Sequence, residues 1–341
     1  MIATLSPFWR SLRPSAGLAL LALLVAGGCG KPTPQGQPAS KAGETAPARV
    51  AVVISTLNNP WFVVLADTAK ARAEELGFQT TVFNSENDTA KEASHFENIL
   101  AGGYQAILFN ATDSDGSIAN VRKAKAAGVP VFCIDREVNA LDAATAQILS
   151  DNHGGCVALG QAFVEAVGEE GGYVEILGYL GDNNAHNRSQ GFHEVVDAYP
   201  GLTMLAQQAA DFDRAKALAV METLLQKHGD EIDAVFCGND AMAMGAHQAL
   251  VAAGRDDVKL FGFDGADEVV ALIAQGGIAA TGMQFPKTMA RQAAEFAHEW
   301  IKDGRREFPQ KLPVAVEVVT PDNVSEYGDY GAKEDARVSA E

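Results

Sequence analysis

Residues 50–62 read V-A-V-V-I-S-T-L-N-N-P-W-F. Residues 50–54 form a short apolar run rich in β-branched side chains, the pattern of a strand buried on both faces. The run turns polar at Ser55-Thr56 and breaks at Asn58-Asn59-Pro60. Pro60 suits the first turn of a following helix, where its missing N–H would have no partner in any case. The break places an amide, Asn59, beside Trp61 and Phe62 at the carboxyl end of a strand. Two readings fit. One is a capped helix start with two core aromatics. The other is a site where flat apolar faces and an aimed hydrogen-bonding group meet a polyhydroxylated ring.

Beyond this stretch the periodicity alternates. Helical spacing is predicted over 61–76, 89–100 and 118–127, between strand-like runs at 79–83, 106–109, 129–134 and 146–149. The pattern then restarts, with helices over 154–167, 188–198, 214–228, 241–253, 267–275 and 288–302. Strands are predicted between them at 172–177, 202–209, 234–237, 258–263, 278–283 and 314–319. Strict alternation predicts an α/β fold of parallel sheets with helices on both faces. The strands are too many for one compact sheet, so two Rossmann-like lobes are expected. The halves also resemble each other: Asn110 and Asp135 stand 25 residues apart, as do Asn239 and Asp264. The same shift (239 − 110 = 129) carries Asn59 onto Arg188 and Phe83 onto Phe212. This reads as duplication of a whole domain.

The chain has 341 residues, 26 Lys and Arg against 44 Asp and Glu, and a formal charge of −18. That is room for about two domains of ~150 residues. Acidic composition without a basic cluster argues against nucleic acid or anionic membrane surfaces as partners. Residues 1–28 read as a signal peptide: Arg10 and Arg13 precede a short apolar segment at 16–25, too short to span a membrane. Ala26-Gly27-Gly28 before Cys29 resembles the lipobox of a bacterial lipoprotein, with Ala26 where Leu is usual. Lipidation at Cys29 and ordinary cleavage to a free protein are the two outcomes. Residues 29–48, rich in Pro, Gly and Ser/Thr, read as a flexible tether. Cys133, Cys156 and Cys237 are widely spaced and read as buried structural thiols.

Ligands of open parallel sheets bind beyond the carboxyl ends of the strands. Those ends carry Asn59, Asn110, Asp135, Arg136, Asn239, Asp264 and Gln284. Carboxylates can accept hydrogen bonds from adjacent hydroxyls, and amides both donate and accept. Taken singly, each Asn or Asp is as well read as a turn former or helix cap. The two aspartates could also form an acid–base pair. No catalytic-triad spacing, H-E-x-x-H, phosphate-binding glycine loop or metal-ligand histidine pattern accompanies them. No metal and no cofactor are expected.

Nine stretches together carry a family resemblance: S-T-L-N-N-P-W-F at 55–62, N-A-T-D-S-D at 110–115, I-D-R at 134–136, S-D-N at 150–152, R-S-Q-G-F at 188–192, A-D-F-D-R at 210–214, G-N-D-A-M-A at 238–243, G-F-D-G at 262–265 and A-T-G-M-Q at 280–284. In this order they resemble the sugar-binding periplasmic proteins of bacterial ABC importers, above all the ribose binders. The resemblance implies polar sugar contacts at Asn59, Asn110, Asp135, Arg136, Arg188, Asn239, Asp264 and Gln284, and aromatic contacts at Phe62 and Phe212. Trp61 stands where the ribose binders have Phe, and His186 where Arg is usual. The calcium loop of the galactose and glucose relatives is absent from the sequence.

The resemblance also implies the periplasmic binding protein type I architecture. Its lobes would be 49–150 plus 285–319 and 151–284 plus 320–330, with a tail at 331–341. Three hinge crossings would lie near Ser150-Asp151, Gln284-Phe285 and Thr320. Hinge closure would capture a small pentose or polyol and present it to a membrane permease, with no chemistry on the ligand. A chemoreceptor is a further possible partner. The alternatives are the core of a sugar-responsive regulator, which would need a basic DNA-binding segment before residue 49, and a sugar-processing enzyme using Asp135 and Asp264.

Overall fold

The computed structural model describes residues 47–332. The signal peptide, Cys29, nearly all of the tether and most of the tail lie outside the described residues. The first half runs β1 (Arg49–Ile54), α1 (Pro60–Glu75), β2 (Gln79–Asn84), α2 (Thr89–Ala101), β3 (Ala106–Phe109), α3 (Ile118–Ala126), β4 (Val131–Ile134) and β5 (Ala146–Ser150). The second runs α4 (Asn152–Val167), β6 (Glu170–Leu177), α5 (Asn183–Val196), β7 (Gly201–Ala209), α6 (Arg214–His228), β8 (Ala234–Cys237), α7 (Asp240–Ala253), β9 (Lys259–Asp264), α8 (Asp267–Gln275) and β10 (Ala280–Met283). It closes with α9 (Pro286–His298), β11 (Lys311–Val314), β12 (Glu317–Val319) and the short pair β13 (Tyr327–Gly328) and β14 (Gly331–Ala332).

Two six-stranded sheets form, ordered β11-β5-β4-β3-β1-β2 and β12-β10-β9-β8-β6-β7. Replacing each strand of the first order by its counterpart gives the second. Side-chain alternation explains why both sheets need helices on both faces. Along β1, Val50, Val52 and Ile54 enter a cluster with α1 and α9, whereas Ala51 and Val53 enter another with Phe96 of α2 and Val121 of α3. In the second sheet, Val235 and Cys237 of β8 face α6 and α7, while Ala234 and Phe236 pack with Phe163 of α4 and Phe192 of α5.

The chain changes sheets after β5, after β10 and between β11 and β12. The third change corrects an expectation. Residues 314–319 were expected to form one strand with a crossing at Thr320. Instead β11 pairs parallel with β5, and β12 pairs antiparallel with β10. The crossing lies between Val314 and Glu317, at Ala315-Val316, with Pro313 just before it and Glu317 just after. Val316 seats against α4 there; a Cβ on Gly155 would fall 2.6 Å from its side chain. The second sheet is therefore mixed rather than purely parallel. The expected tail boundary also shifts, because Gly331–Ala332 pair with Tyr327–Gly328.

The duplication is present, but its offset is not constant. Asn110 and Asn239 follow equivalent strands, as do Asp135 and Asp264. Asn59 caps α1, and its counterpart is Asp182, which caps α5, rather than Arg188. Phe83 lies within β2, whereas Phe212 lies in the turn after β7. That turn and its counterpart each hold two consecutive positive-φ residues, Asp211-Phe212 and Glu86-Asn87, followed by a capping aspartate, Asp213 and Asp88.

Candidate functional site

The carboxyl ends of the two sheets face each other across a cavity with an empty volume of about 260 Å³. One sheet's lobe contributes Asn59, Trp61, Phe62, Asp135 and Arg136 to its wall. The other contributes Arg188, Phe212, Asn239, Asp264 and Gln284, together with Asp182 and Asn184. Every residue predicted for the wall lies there except Asn110. That side chain sits one layer back: its Nδ2 donates to Asp135 Oδ2 (3.1 Å) and Ile134 O (3.1 Å), and its Oδ1 accepts from Ser55 Oγ (2.6 Å). Asn110 orients Asp135.

Local chain chemistry sets each position. Asn59 is the cap of α1, accepting the Trp61 N–H at 3.0 Å, and Asn239 caps α7 by accepting from Met242 N at 3.0 Å. Asp135, Phe212 and Asp264 have φ values of 63°, 59° and 139°. Such backbone is rare for L side chains and concentrates where surrounding contacts over-determine it. Trp61 and Phe62 meet edge-on, with ring centroids 5.5 Å apart.

Charged groups form a buried network. Arg188 is fixed by Asn152 Oδ1 (2.7 Å) and Gly238 O (2.7 Å) and reaches Asp264 Oδ1 at 3.4 Å. Asp264 also accepts from Gln284 Nε2 (2.7 Å), from Asn239 Nδ2 (3.2 Å) and from Asn59 across the cleft. The Arg136 guanidinium carbon lies 5.0 Å from the Phe62 ring centroid and 5.8 Å from that of Phe212, so it faces aromatics from both lobes. Burial, with the Asp182 charge adding to it, raises Asp135 to about 7, although Arg188 and Arg136 pull it down. Burial also raises Asp264, against Arg188 and its hydrogen bonds. Groups held this way gain from donors that favour their charged form.

Two wall residues escaped the sequence reading, Asp182 and Asn184. The helix was expected to start at Arg188, but α5 begins at Asn183 with Asp182 as its cap. The D-N-N at 182–184 after a strand was the available signal. Asn184 Nδ2 reaches Asp135 O (3.3 Å) and Oδ1 (3.4 Å) across the cleft. At the rim, Asn183 Nδ2 donates to Glu137 Oε1 (2.8 Å) and Asn139 Oδ1 (2.7 Å), and Tyr179 Oη to Asp113 Oδ2 (3.1 Å). His186 lies outside the wall and contacts Leu180 O at 2.8 Å. Three buried polar atoms of the wall, Trp61 Nε1, Arg136 Nε and Gln284 Oε1, lack hydrogen-bond partners among the described residues, Arg136 Nε meeting Asp182 Oδ2 at 2.7 Å as an ion pair without hydrogen-bond geometry. Such atoms are costly unless a bound group satisfies them.

Residues 50–305 match the periplasmic binding protein domain family. The chain is 42% identical to a D-apiose import binding protein of Paraburkholderia graminis, over 80% of this chain and 88% of that one. It is 38% identical to the ribose import binding protein of Salmonella typhimurium, over 79% and 90%. A solved ABC transporter solute binding protein from Bacillus halodurans, with bound myo-inositol, superimposes with a TM-score of 0.79 at 27% identity, covering 85% of this chain and all of that one.

Proposed function

The chain belongs to the periplasmic binding protein domain family, and on that premise we propose that it captures a small neutral sugar, a pentose or similar polyol, between its lobes. It is a sugar-binding protein of the ABC-importer type and not an enzyme. The observation that carries the finer reading is the charge of the cavity wall. Asp135, Asp182 and Asp264 outnumber Arg136 and Arg188, and the arginines already meet carboxylates at 2.7 and 3.4 Å. A sugar acid or sugar phosphate would add uncompensated negative charge there. A neutral polyol instead supplies hydroxyl donors to the carboxylates and acceptors to the amide and guanidinium groups.

Trp61 favours a ligand no bulkier than a pentose, because overpacking a closed site costs ~1–3 kcal/mol. The apiose and ribose import relatives make D-apiose and D-ribose the leading ligands. Closure of the lobes over the sugar would present a single surface to a membrane permease. The sequence before residue 47 supports delivery to the periplasmic side of the envelope and a lipid anchor at Cys29. Thermal-shift screening tests the ligand class, since a molecule bound only by the native state raises the melting temperature. Small neutral sugars should raise it and sugar acids should not; a response only to charged ligands would reverse the reading. Cys29→Ser should release the protein from the membrane fraction, and an unchanged distribution would rule out the anchor.

A further inference from the structure

Asp264 has a φ of 139° and Gly265 follows at 79°, so the loop after β9 departs twice in succession from ordinary backbone. A wall residue held in that way needs a group that fixes it. Asp240, the first residue of α7 and almost fully buried, supplies one. Its Oδ2 accepts the Ala266 N–H at 2.7 Å, its carboxylate takes a second backbone donor from Gly265, and its Oδ1 accepts from Thr281 Oγ1 of β10 at 2.7 Å. One carboxylate thus ties α7, the 264–266 loop and β10 together. Room for it depends on Gly262, where a Cβ would lie 2.2 Å from Asp240 Oδ1. The equivalent position after Asn110 is Ala111, so the other lobe lacks the device. There the Asp135 loop is held by backbone bonds, Asp135 N to Ile148 O and Arg136 N to Ile134 O.

We propose that Asp240 is a positioning residue for sugar binding, gripping the 264–266 loop so that Asp264 is presented on the cavity wall. Asp240 does not line the cavity, and its carboxylate stands close enough to Asp264 for each to raise the other's cost of ionisation. A neutral side chain at position 240 would relieve that repulsion. What the carboxylate contributes is therefore the grip on the loop. This inference rests on the reading of Asp264 as a sugar ligand.

Calorimetric titration with D-apiose and D-ribose tests it on the wild type, Asp240→Ala, Asp240→Asn, Asp264→Asn and the double variant Asp240→Asn/Asp264→Asn. Each Asp240 variant should bind the better sugar about ten-fold or more weakly, as expected when the support of a binding group is lost. The double variant should bind no more weakly than Asp264→Asn alone, since groups acting as a unit are not additive. If Asp240→Ala does not fold, Asp240→Asn, which keeps the shape, carries the test. Wild-type affinity in a folded Asp240 variant while Asp264→Asn has lost binding would overturn the role of Asp240, as would additive losses in the double variant. Unchanged affinity in Asp264→Asn would overturn the site reading itself.

Discussion

Arg136 and Asp182 meet across the cleft, Nε to Oδ2 at 2.7 Å, with side-chain exposures of 4% and 2%. They come from different lobes, so the pair exists only while the lobes are together. Removing one partner of a buried pair leaves an uncompensated charge and costs ~3–5 kcal/mol. Asp182→Ala should therefore weaken sugar binding by disfavouring closure, and Asp182→Asn, which keeps the cap of α5, should weaken it less. Calorimetry on both variants checks this; equal affinity of wild type and Asp182→Ala would remove the pair from the binding mechanism.

Asp135→Ala and Asp264→Ala should each abolish tight sugar binding in a folded protein. Each change removes a charged acceptor and leaves ligand hydroxyls unpaired in a closed cavity, a loss of roughly 2–5 kcal/mol. Native circular dichroism with unaltered affinity would refute the assignment.

Asp135 also predicts a pH dependence. Burial raises its carboxyl to about 7, above the unfolded value of ~3.9. For this group alone, stability falls as pH rises through the window between those values and is lowest above about 7. Sugar hydroxyls donating to the ionised carboxylate would lower its pKa, so binding should release a proton. Affinity should then fall as pH drops below about 7, by at most about ten-fold per unit for a single proton. Titrations in buffers of different ionisation enthalpy measure the proton count, and Asp135→Asn should flatten this component of the profile.

Trp61 lies on the cavity wall against Phe62, whereas Trp300 stacks on Phe308. Cognate sugar should change tryptophan emission in the wild type and leave Trp61→Phe silent. Ribose affinity should rise in that variant, or stay level if ribose is the native ligand. A full sugar-induced change in Trp61→Phe would place the reporter elsewhere.

The doubly wound fold was legible because buried parallel strands carry continuous apolar runs and their helices carry clear stops, such as Gly77 and Gly254. Capping chemistry hid part of the site. Asp182 and Asn184 lie before the expected helix start at Arg188 and drew no assignment, because a side chain that caps a helix and one that faces a ligand look alike in sequence. The change of sheets at 315–316 was hidden for a different reason: the valines on both sides of Glu317 read as one strand, although Val314 before it pairs in one sheet and Val318 and Val319 after it in the other. Asn110 was placed at the right strand end, but only the geometry around Asp135 separates a wall residue from the one behind it.

Isothermal titration of the protein with D-apiose, D-ribose, a hexose and a sugar acid tests the central claim most directly. Tight one-to-one binding of a pentose is expected, with the hexose weaker and the sugar acid silent. Tight binding of the hexose with none of either pentose would contradict the size argument, and tight binding of the sugar acid would contradict the neutral-ligand reading of the cavity.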